Sequence, residues 1–242
     1  MLAIDGGMTL PGWRDFERAV AATFAGVAQE SKYVFDVIVP ATNMTKMPYG
    51  ISCKMRGELD RVTARDGRVT IELSNSAKQF WNYLGTKDVR EDNYRDNPQQ
   101  AGESLIELVE MWHSKESSVS GGSIELIASF YLVLSWNKKG SYQLHQFPLI
   151  LPDPSTLYWY FPNKTRKGVE EPAQRLCGAD ETGVIFEWYG QSGGQLKYYP
   201  LAKNAIWTSE AFQLEPLPSS GDMRYDVLAK AALYFPKQWQ SI

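Results

Sequence analysis

A single carboxylate interrupts an apolar run near the start of the chain, and a lysine-bearing segment follows it. The run covers residues 33–39 with Asp36 in its middle, and the second segment covers residues 50–56 with Lys54. Two short apolar runs joined by a loop predict neighbouring strands of a buried sheet. An ionised group inside an apolar strand is costly unless a metal ion or an opposite charge compensates it. We therefore expect Asp36 and Lys54 to lie side by side.

Alternation along the second strand separates an apolar face from a polar one. The apolar face is formed by Ile51, Cys53 and Met55, and the polar face by Ser52, Lys54 and Arg56. A lysine on a polar strand face is usually solvated, so exposure of Lys54 stays open. Beside Asp36, the same lysine has the charge to assist an attacking water and to stabilise a charged transition state.

Glu72 is a candidate second acid with a simpler alternative. It falls in a hairpin predicted around Asp66 and the glycine that follows, where it would face Arg61. A cross-strand ion pair with Arg61 explains it as well as a metal site does. Glu58 and Asp60, which follow Lys54 closely, are rival carboxylates.

Helical spacing predicts a helix over residues 13–28, with Glu17 at the edge of its apolar arc. The other elements that we expect are helices over 77–84 and 105–112, a surface loop over 85–103, hairpins pairing 124–136 with 142–151 and 183–189 with 195–201, and a short helix over 223–234. The chain is thus α/β in its first half and β-rich in its second. We expect a core in residues 1–120 and a β-rich region in 121–242, packed together as one domain.

Composition narrows the class of protein. The chain has 242 residues, 43% of them hydrophobic and 22% charged, which is typical of a globular protein with a real core. Only two histidines, His113 and His145, are present, so a zinc site with several histidine ligands is disfavoured. We expect His113 to be a cap or surface residue. Carboxylates and lysines remain to do any chemistry, and this donor set favours Mg²⁺.

The sequence also carries expectations about location. Two cysteines without metal-ligand spacing imply no disulfide framework, so a reducing cytoplasm is the default. The first ten residues lack the pattern of a signal peptide. No apolar stretch reaches the roughly 18 residues that a membrane span needs, so no membrane partner is expected. The net charge of −3 gives no basic average, although it leaves room for a local basic groove.

The order of these residues resembles the core of the PD-(D/E)XK nucleases, over roughly residues 13–84. Glu17 lies on a helix, Asp36 on a strand, and the triplet 52–54 on the next strand. In that family an aspartate is followed by an acid, any residue and a lysine. Ser52 stands here where the acid is expected, as in some type II restriction endonucleases that recruit a carboxylate from further along the chain. Glu72, just before the helix over 77–84, is our choice for that acid, with Glu58 and Asp60 as alternatives.

The resemblance implies an α/β fold with a restriction-endonuclease-like central mixed sheet flanked by helices, and a β-rich C-terminal half. It implies Mg²⁺-dependent hydrolysis of double-stranded DNA, with Asp36, Glu72 and the Cys53 carbonyl holding the metal. The metal would polarise the phosphate and activate a bound water, and Lys54 would assist the nucleophile. Glu17 would be the helical acid near the metal, and the setting would be a bacterial or archaeal cytoplasm.

DNA recognition is expected in the β-rich half, where aromatic residues alternate with bases at 158–167. Lysine and arginine neutralise phosphates, and asparagine, glutamine and arginine read base edges. The candidate contacts are Asn137, Lys138, Lys139, Asn163, Lys164, Arg166, Lys167, Gln191, Gln195 and Lys197. Solvated loops over an aromatic core are the simpler interpretation of any one of these segments.

Three functions follow from this sequence. The first is a sequence-specific type II restriction endonuclease, expected to act as a homodimer on symmetric sites. The second is a repair or phage nuclease of the same fold, which recognises DNA structure. The third is a non-catalytic binding or structural module, in which Asp36 and Lys54 form an ion pair without a metal.

Overall fold

This computed structural model describes residues 3–5, 8–29, 34–43, 45–64, 67–166 and 168–214, and these contain four α-helices, three short 3-10 helices and sixteen strands. The helices are α1 (Trp13–Thr23), α2 (Leu59–Ala64), α3 (Ala77–Gly85) and α4 (Pro98–Glu116). The strands of the first half are β1 (Ala3–Asp5), β2 (Met8–Leu10), β3 (Val27–Ala28), β4 (Val37–Val39), β5 (Tyr49–Arg56) and β6 (Ile71–Ser74). Those of the second half are β7 (Phe130–Trp136), β8 (Ser141–Pro148), β9 (Tyr158–Tyr160), β10 (Asn163–Arg166), β11 (Val169–Pro172), β12 (Leu176–Asp180), β13 (Gly183–Tyr189), β14 (Gln195–Tyr198), β15 (Trp207–Thr208) and β16 (Phe212–Gln213).

The first sheet is mixed and has seven strands in the order β15-β8-β7-β5-β4-β3, with β16 also paired to β8. Strands β3, β4 and β5 are antiparallel neighbours, whereas β5 and β7 are parallel. A parallel pair needs a long crossover connection. The chain between β5 and β7 supplies it, and this connection carries α2, α3, β6 and α4.

The second sheet is antiparallel, with five strands in the order β6-β14-β13-β12-β9. Its inner face is apolar, because Trp159, Phe186 and Ile71 point into the core with at most 2% of their surface exposed. Strand β6 comes from the first half of the sequence and pairs with β14 from the second half. The two halves are therefore joined within one sheet.

Two apolar clusters lie on opposite faces of the first sheet. Phe16 and Val20 of α1 pack against Ile51 and Cys53 of β5 in the smaller cluster. The larger cluster contains α3, α4, the inner face of the second sheet and the opposite face of the first sheet, including Tyr131. Each large apolar side chain buried in this way contributes about 1.5–3 kcal/mol.

The predicted hairpin before Glu72 is wrong, because residues 59–64 form helix α2 instead of a strand. Leu59 and Val62, three residues apart, are both buried in the structure. That spacing fits one face of a helical turn. Arg61 accordingly lies on a helix and pairs with Glu58, so the alternative ion pair with Glu72 is wrong as well.

Several predicted boundaries also differ. Helix α1 ends at Thr23 and not at residue 28, because Ala25 adopts a positive φ of 52° and the chain then enters β3. Of the strand expected over 33–39, the described residues 34–39 are regular only over Val37–Val39. The surface loop expected over 85–103 ends where Pro98 begins α4. The helix expected over 223–234 lies outside the described residues.

The fold is α/β with a multi-stranded mixed sheet and few helices, which confirms the coarse fold class. Strands β7 to β16 make the second half β-rich. The predicted β5 strand and the hairpin of β13 with β14 are present with nearly the expected bounds. Among the described helices, none combines the length and the apolar character that a membrane crossing requires.

Candidate functional site

One carboxylate oxygen of Asp36 gathers three donors from β5. Asp36 Oδ2 lies 3.3 Å from Ser52 Oγ, 2.7 Å from the Cys53 backbone nitrogen and 3.0 Å from Lys54 Nζ. Lys54 Nζ also donates to the Cys53 carbonyl oxygen at 3.1 Å. The sequence prediction that Asp36 and Lys54 lie side by side therefore holds in the structure.

The site forms where β4 and β5 stop pairing. Val37 opposes Ile51 in the last registered pair on this side, and the Asp36 backbone nitrogen still donates to the Ile51 carbonyl oxygen at 3.1 Å. Beyond that point, Cys53 has a backbone N–H and a carbonyl without a partner on β4. Buried main-chain groups need partners. The Asp36 carboxylate takes the N–H and the Lys54 ammonium takes the carbonyl.

The Asp36–Lys54 pair is partly exposed, with 26% and 20% of the respective side-chain surfaces accessible. The two charges are therefore partly hydrated and accessible to a ligand from solvent. Hydrogen bonds to the Cys53 backbone hold both side chains in place. Hydrogen bonds to charged groups contribute about 1.5–3 kcal/mol each when both partners are well placed. The geometry is thus rigid at Cys53 and open on its outer side.

Glu17 approaches the same strand from α1. Burial raises the pKa of the Cys53 thiol, and the negative charges of Asp36 and Glu17 raise it further, whereas Lys54 lowers it. Both carboxylates are therefore close enough to act on Cys53. Since Cys53 packs with α1, Glu17 lies on the α1 side of the sheet, and the Lys54 side chain starts from the opposite face.

Glu72 is held by a different set of partners. It pairs with Arg56 at the end of β5, and its Oε2 accepts a hydrogen bond from Gln195 Nε2 at 2.7 Å. In the described part of the chain, no hydrogen bond or ion pair joins Glu72 to Asp36 or Lys54. Arg56 shares the polar face of β5 with Lys54, so Glu72 belongs to a neighbouring cluster. Its role as a metal ligand stays a prediction.

The rival acids also have partners of their own. Glu58 accepts the Thr70 backbone N–H and the Thr70 hydroxyl, each at 2.6 Å, and pairs with Arg61 at 2.6 Å. Asp60 accepts the Asn137 amide at 2.7 Å. These bonds tie the residue before α2 to the residue before β6, and α2 itself to the turn after β7. Neither acid contacts Lys54 among the described residues.

The two oxygens that accept hydrogen bonds from Lys54 Nζ are of a kind that also binds a small hard cation. In this structure the ammonium itself lies at both of them. Two oxygens converge there, one from the Asp36 carboxylate and one from the Cys53 carbonyl, and both are ligand types that Mg²⁺ prefers. The three donors to Asp36 all reach Oδ2, and within the described residues none reaches Oδ1. No three His, Cys, Asp or Glu side chains of the described residues are grouped as a ready-made metal centre.

His113 is not the cap or surface residue that the sequence predicts. Its ring on α4 stacks on Phe35, the neighbour of Asp36, with centroids 6.2 Å apart, and its Nε2 lies 3.4 Å from the Tyr131 hydroxyl. Burial lowers the pKa of His113 to about 4. The residue is therefore a neutral packing element beneath the strand that carries Asp36.

The predicted DNA contacts fall on three separate parts of the β-rich half. Asn137, Lys138 and Lys139 form the turn between β7 and β8. Asn137 Oδ1 accepts the backbone N–H groups of Lys139 at 3.0 Å and Ser141 at 3.1 Å, so this side chain holds the turn. Both lysines are exposed.

The second group lies on the hairpin of β10 and β11. Asn163 and Lys164 are exposed, and Lys164 pairs with Glu171 at 3.3 Å. Arg166 ends β10, and Lys167 lies outside the described residues. No described contact links this hairpin to Asp36 or Lys54.

The third group belongs to the second sheet. Gln191 is exposed in the turn after β13, Gln195 bonds to Glu72, and the Lys197 ammonium lies over the Tyr189 ring, 4.7 Å from its centroid. Gln195 thereby connects this sheet to the Arg56–Glu72 pair.

Arg56 is the residue near Lys54 that the sequence analysis did not select. The period-two pattern of Ser52, Lys54 and Arg56 was a sufficient signal, since it places Arg56 on the face of Lys54. Its partner Glu72 had no such signal, because that contact depends on the pairing of β6 with β14.

Comparison with known proteins gives no family assignment. The chain matches no protein-family model, and no curated protein and no solved structure is significantly similar to it.

Proposed function

We propose that this protein is a Mg²⁺-dependent DNA endonuclease of the PD-(D/E)XK type, with Asp36 and Lys54 at its centre. The observation that carries the proposal is the meeting of Asp36 Oδ2, Lys54 Nζ and the Cys53 carbonyl within 3.1 Å. An acid and a lysine on successive strands, with an acid on the preceding helix, is the order that the resemblance requires. Glu17 on α1 supplies the helical acid.

Asp36 and the Cys53 carbonyl would hold the metal ion, and Glu17 on α1 would be the helical acid that acts on Cys53 from the other side of the strand. When bound, Mg²⁺ supplies polarisation of the phosphate and a bound water of lowered pKa. Lys54 would orient the attacking water and donate to the developing charge on the phosphate, with its ammonium displaced from the two oxygens that it bonds in this structure. Arg56 lies two residues further on the same face, where Glu72 already pairs with its charge.

In its specific form, the proposal is a restriction endonuclease that cuts double-stranded DNA at a fixed sequence as a homodimer. The second candidate is a nuclease of the same fold that recognises DNA structure. An aromatic and basic face on the second sheet, described below, favours this candidate.

A non-catalytic module is the competing interpretation. Asp36 and Lys54 complete the hydrogen bonding of Cys53, and this alone gives the pair a structural reason to exist. In that case the pair contributes to stability and to nothing else. Both the nuclease and the non-catalytic module predict a folded protein. A measurement of DNA cleavage therefore distinguishes them.

The test is cleavage of supercoiled plasmid DNA by the purified full chain with Mg²⁺ and with EDTA. We expect nicking or linearisation with Mg²⁺ only, and a loss of at least about 100-fold in rate for Lys54→Ala and for Asp36→Asn. Lys203→Ala is the matched control, because Lys203 is an exposed lysine outside the site. Its rate should equal that of the wild type.

Discrete fragments identify the site-specific form, and sedimentation equilibrium of that enzyme should give a dimer. Cleavage confined to branched, nicked or single-stranded DNA identifies the second candidate. The proposal fails if folded wild type cuts none of these substrates with Mg²⁺ or Mn²⁺. It fails equally if Lys54→Ala is as active as the wild type, since the activity is then a contaminant.

A further inference from the structure

The outer face of the second sheet carries a row of aromatic and charged side chains. Strand register places five residues side by side across it, one on each of β9, β12, β13, β14 and β6. They are Tyr160, Cys177, Glu187, Lys197 and Glu72, of which Cys177 is only 1% exposed. Directly opposed residues of a sheet share a face. We call this surface, together with Tyr158, Arg175, Tyr189 and Tyr199, the tyrosine face.

One tyrosine of this face, Tyr158, is widely exposed, and the other three are partly exposed. Tyr158 has 70% of its surface accessible, and its ring stacks on Tyr160 with centroids 5.2 Å apart and planes 16° apart. The intervening Trp159 points to the core and is only 2% exposed. The alternation therefore places Trp159 on the inner side, and the stacked pair of Tyr158 and Tyr160 lies on the outer side of an edge strand.

Two cations lie elsewhere on this face. Lys197 Nζ lies over the Tyr189 ring at 4.7 Å, and Arg175 Nε lies 3.0 Å from Glu187 Oε1, in an orientation that is not a hydrogen bond. Glu187 also accepts the hydroxyls of Tyr189 at 2.8 Å and Tyr199 at 2.7 Å. Of the two carboxylates of the row, Glu187 is thus compensated by Arg175 and two hydroxyls, and Glu72 by Arg56.

A cleft of about 380 Å³ opens beside the row, and Arg61, Arg68, Glu187 and Tyr199 contribute to its lining. Arg68 is fixed by the Tyr199 carbonyl at 2.6 Å and by the Thr182 carbonyl at 2.8 Å. These partners are neutral, and within the described residues no ion pair involves Arg68. Desolvation raises the pKa of Asp180, but hydrogen bonds from Thr182 and the nearby charge of Arg68 lower it overall. The Arg68 guanidinium lines the cleft where an anion would enter.

Flat aromatic rings interleaved with cations on an open sheet fit one kind of partner. Bases stack on tyrosine rings without regard to sequence, and lysine and arginine follow the phosphates. A DNA duplex keeps its bases stacked on each other, so it cannot use the rings. We propose that the tyrosine face binds single-stranded DNA, with bases on Tyr158 and Tyr160 and phosphates on Lys197 and the cleft arginine Arg68.

The row also leads toward the proposed catalytic pair. Four strand spacings of about 4.8 Å separate Tyr160 from Glu72, so the row spans roughly 19 Å. Glu72 pairs with Arg56, which lies two residues from Lys54 on the same strand face. If the proposed nuclease function holds, this arrangement implies that the substrate is DNA with a single-stranded segment. The binding itself needs no catalysis.

The experiment measures fluorescence anisotropy of a labelled 15-nucleotide oligothymidine in EDTA, with Lys54→Ala as the background protein. We expect Tyr158→Ala and Tyr160→Ala each to weaken binding about 10-fold, because each removes one stacking surface. The conservative changes Tyr158→Phe and Tyr160→Phe should stay within about 2-fold, since the ring is retained. Lys197→Ala should weaken binding and lower the dependence of affinity on salt.

Trp207→Ala is the matched control, because Trp207 is 49% exposed but belongs to the first sheet. Its affinity should not change, and circular dichroism of every variant should match the parent. The inference is overturned if the alanine variants bind oligothymidine as the parent does, or if unlabelled duplex of equal length competes as well as the single strand. If Tyr158→Ala leaves oligothymidine binding unchanged while the wild type cleaves DNA, the tyrosine face is rejected and the nuclease is not. If the parent binds oligothymidine but the wild type cleaves no DNA, the nuclease is rejected and the tyrosine face is not.

Discussion

At Cys53, a gap in main-chain hydrogen bonding is filled by two side chains of opposite charge. Asp36 accepts the Cys53 N–H at 2.7 Å, and Lys54 donates to its carbonyl at 3.1 Å. Each side chain therefore satisfies a backbone group as well as its ionic partner. Removing either one leaves unpaired groups near the core, and this cost exceeds that of an ordinary surface ion pair.

Asp36→Ala is expected to lower the free energy of unfolding by about 1–3 kcal/mol, because it leaves the Cys53 N–H and the Lys54 ammonium unpaired. Asp36→Asn keeps an acceptor and should cost less. Urea denaturation monitored by tryptophan fluorescence measures both. A loss below about 0.5 kcal/mol for Asp36→Ala would show that solvent compensates the pair fully.

His113 makes stability depend on pH. Its pKa is about 4 in the folded protein and near 6.5 when unfolded, so the unfolded chain binds the extra proton between these values. Stability is therefore complete above about pH 6.5 and falls as the pH drops toward 4, by roughly 3 kcal/mol for this residue.

Denaturation midpoints from pH 7.5 to 4.5 measure this dependence, with His113→Gln as the comparison. The variant should lose part of the slope. Some slope remains in any case, since burial also lowers the pKa of His145 and acts in the same direction. An unchanged slope in His113→Gln would assign the dependence to other groups.

The Asp36–Lys54 contact was predictable because it follows from two local patterns. A carboxylate in an apolar run needs compensation, and alternation places Lys54 on the polar face of the next strand. Glu72 was not predictable in the same way. Its partner Gln195 lies 123 residues further along the chain, and no local pattern encodes that pairing.

Among the elements, α2 shows the limit of periodicity. Its six residues are too few to distinguish a helical turn from a strand, and the adjacent turn residues favoured a hairpin. Strand β5 and helix α3 were predictable because their patterns extend over eight and nine residues. A longer element repeats its apolar pattern more often. The length of an element therefore decided whether its type could be predicted.

Helix α4 packs against β9 through a glycine. A Cβ atom at Gly102 would lie 2.0 Å from the Trp159 ring, so the helix can approach this strand only without a side chain there. Gly102→Ala should therefore destabilise the protein by about 1–3 kcal/mol, although alanine is the better helix former by about 1 kcal/mol.

Gly85→Ala is the matched control at the end of α3, where an added Cβ meets nothing within 4 Å. It should be neutral or stabilising by up to about 1 kcal/mol. Thermal unfolding compares the two variants. Equal midpoints would contradict close packing of α4 on Trp159.

On the scale of the whole molecule, the division at residue 120 does not separate independent sheets. The parallel pair of β5 with β7 and the antiparallel pair of β6 with β14 both cross it. Overall class was predictable from composition and pattern, but this interleaving was not, because it depends on which distant strands become neighbours.

Separate fragments 1–120 and 121–242 are accordingly expected not to fold. Each would expose sheet edges and half of a shared core. Amide proton spectra of each fragment should lack the dispersion of the intact chain, and mixing the fragments should restore part of it. A dispersed spectrum from fragment 121–242 alone would show that the β-rich region is autonomous.

The thiol of Cys53 is only 6% exposed and lies between α1 and the strand that carries Lys54. Alkylating reagents require an accessible thiolate, and this one is shielded and hard to ionise. Its modification rate therefore reports how often α1 lifts from the sheet. In a Cys177→Ala protein, Cys53 is the remaining cysteine. Its alkylation rate would then measure the rate of local opening at the proposed active centre.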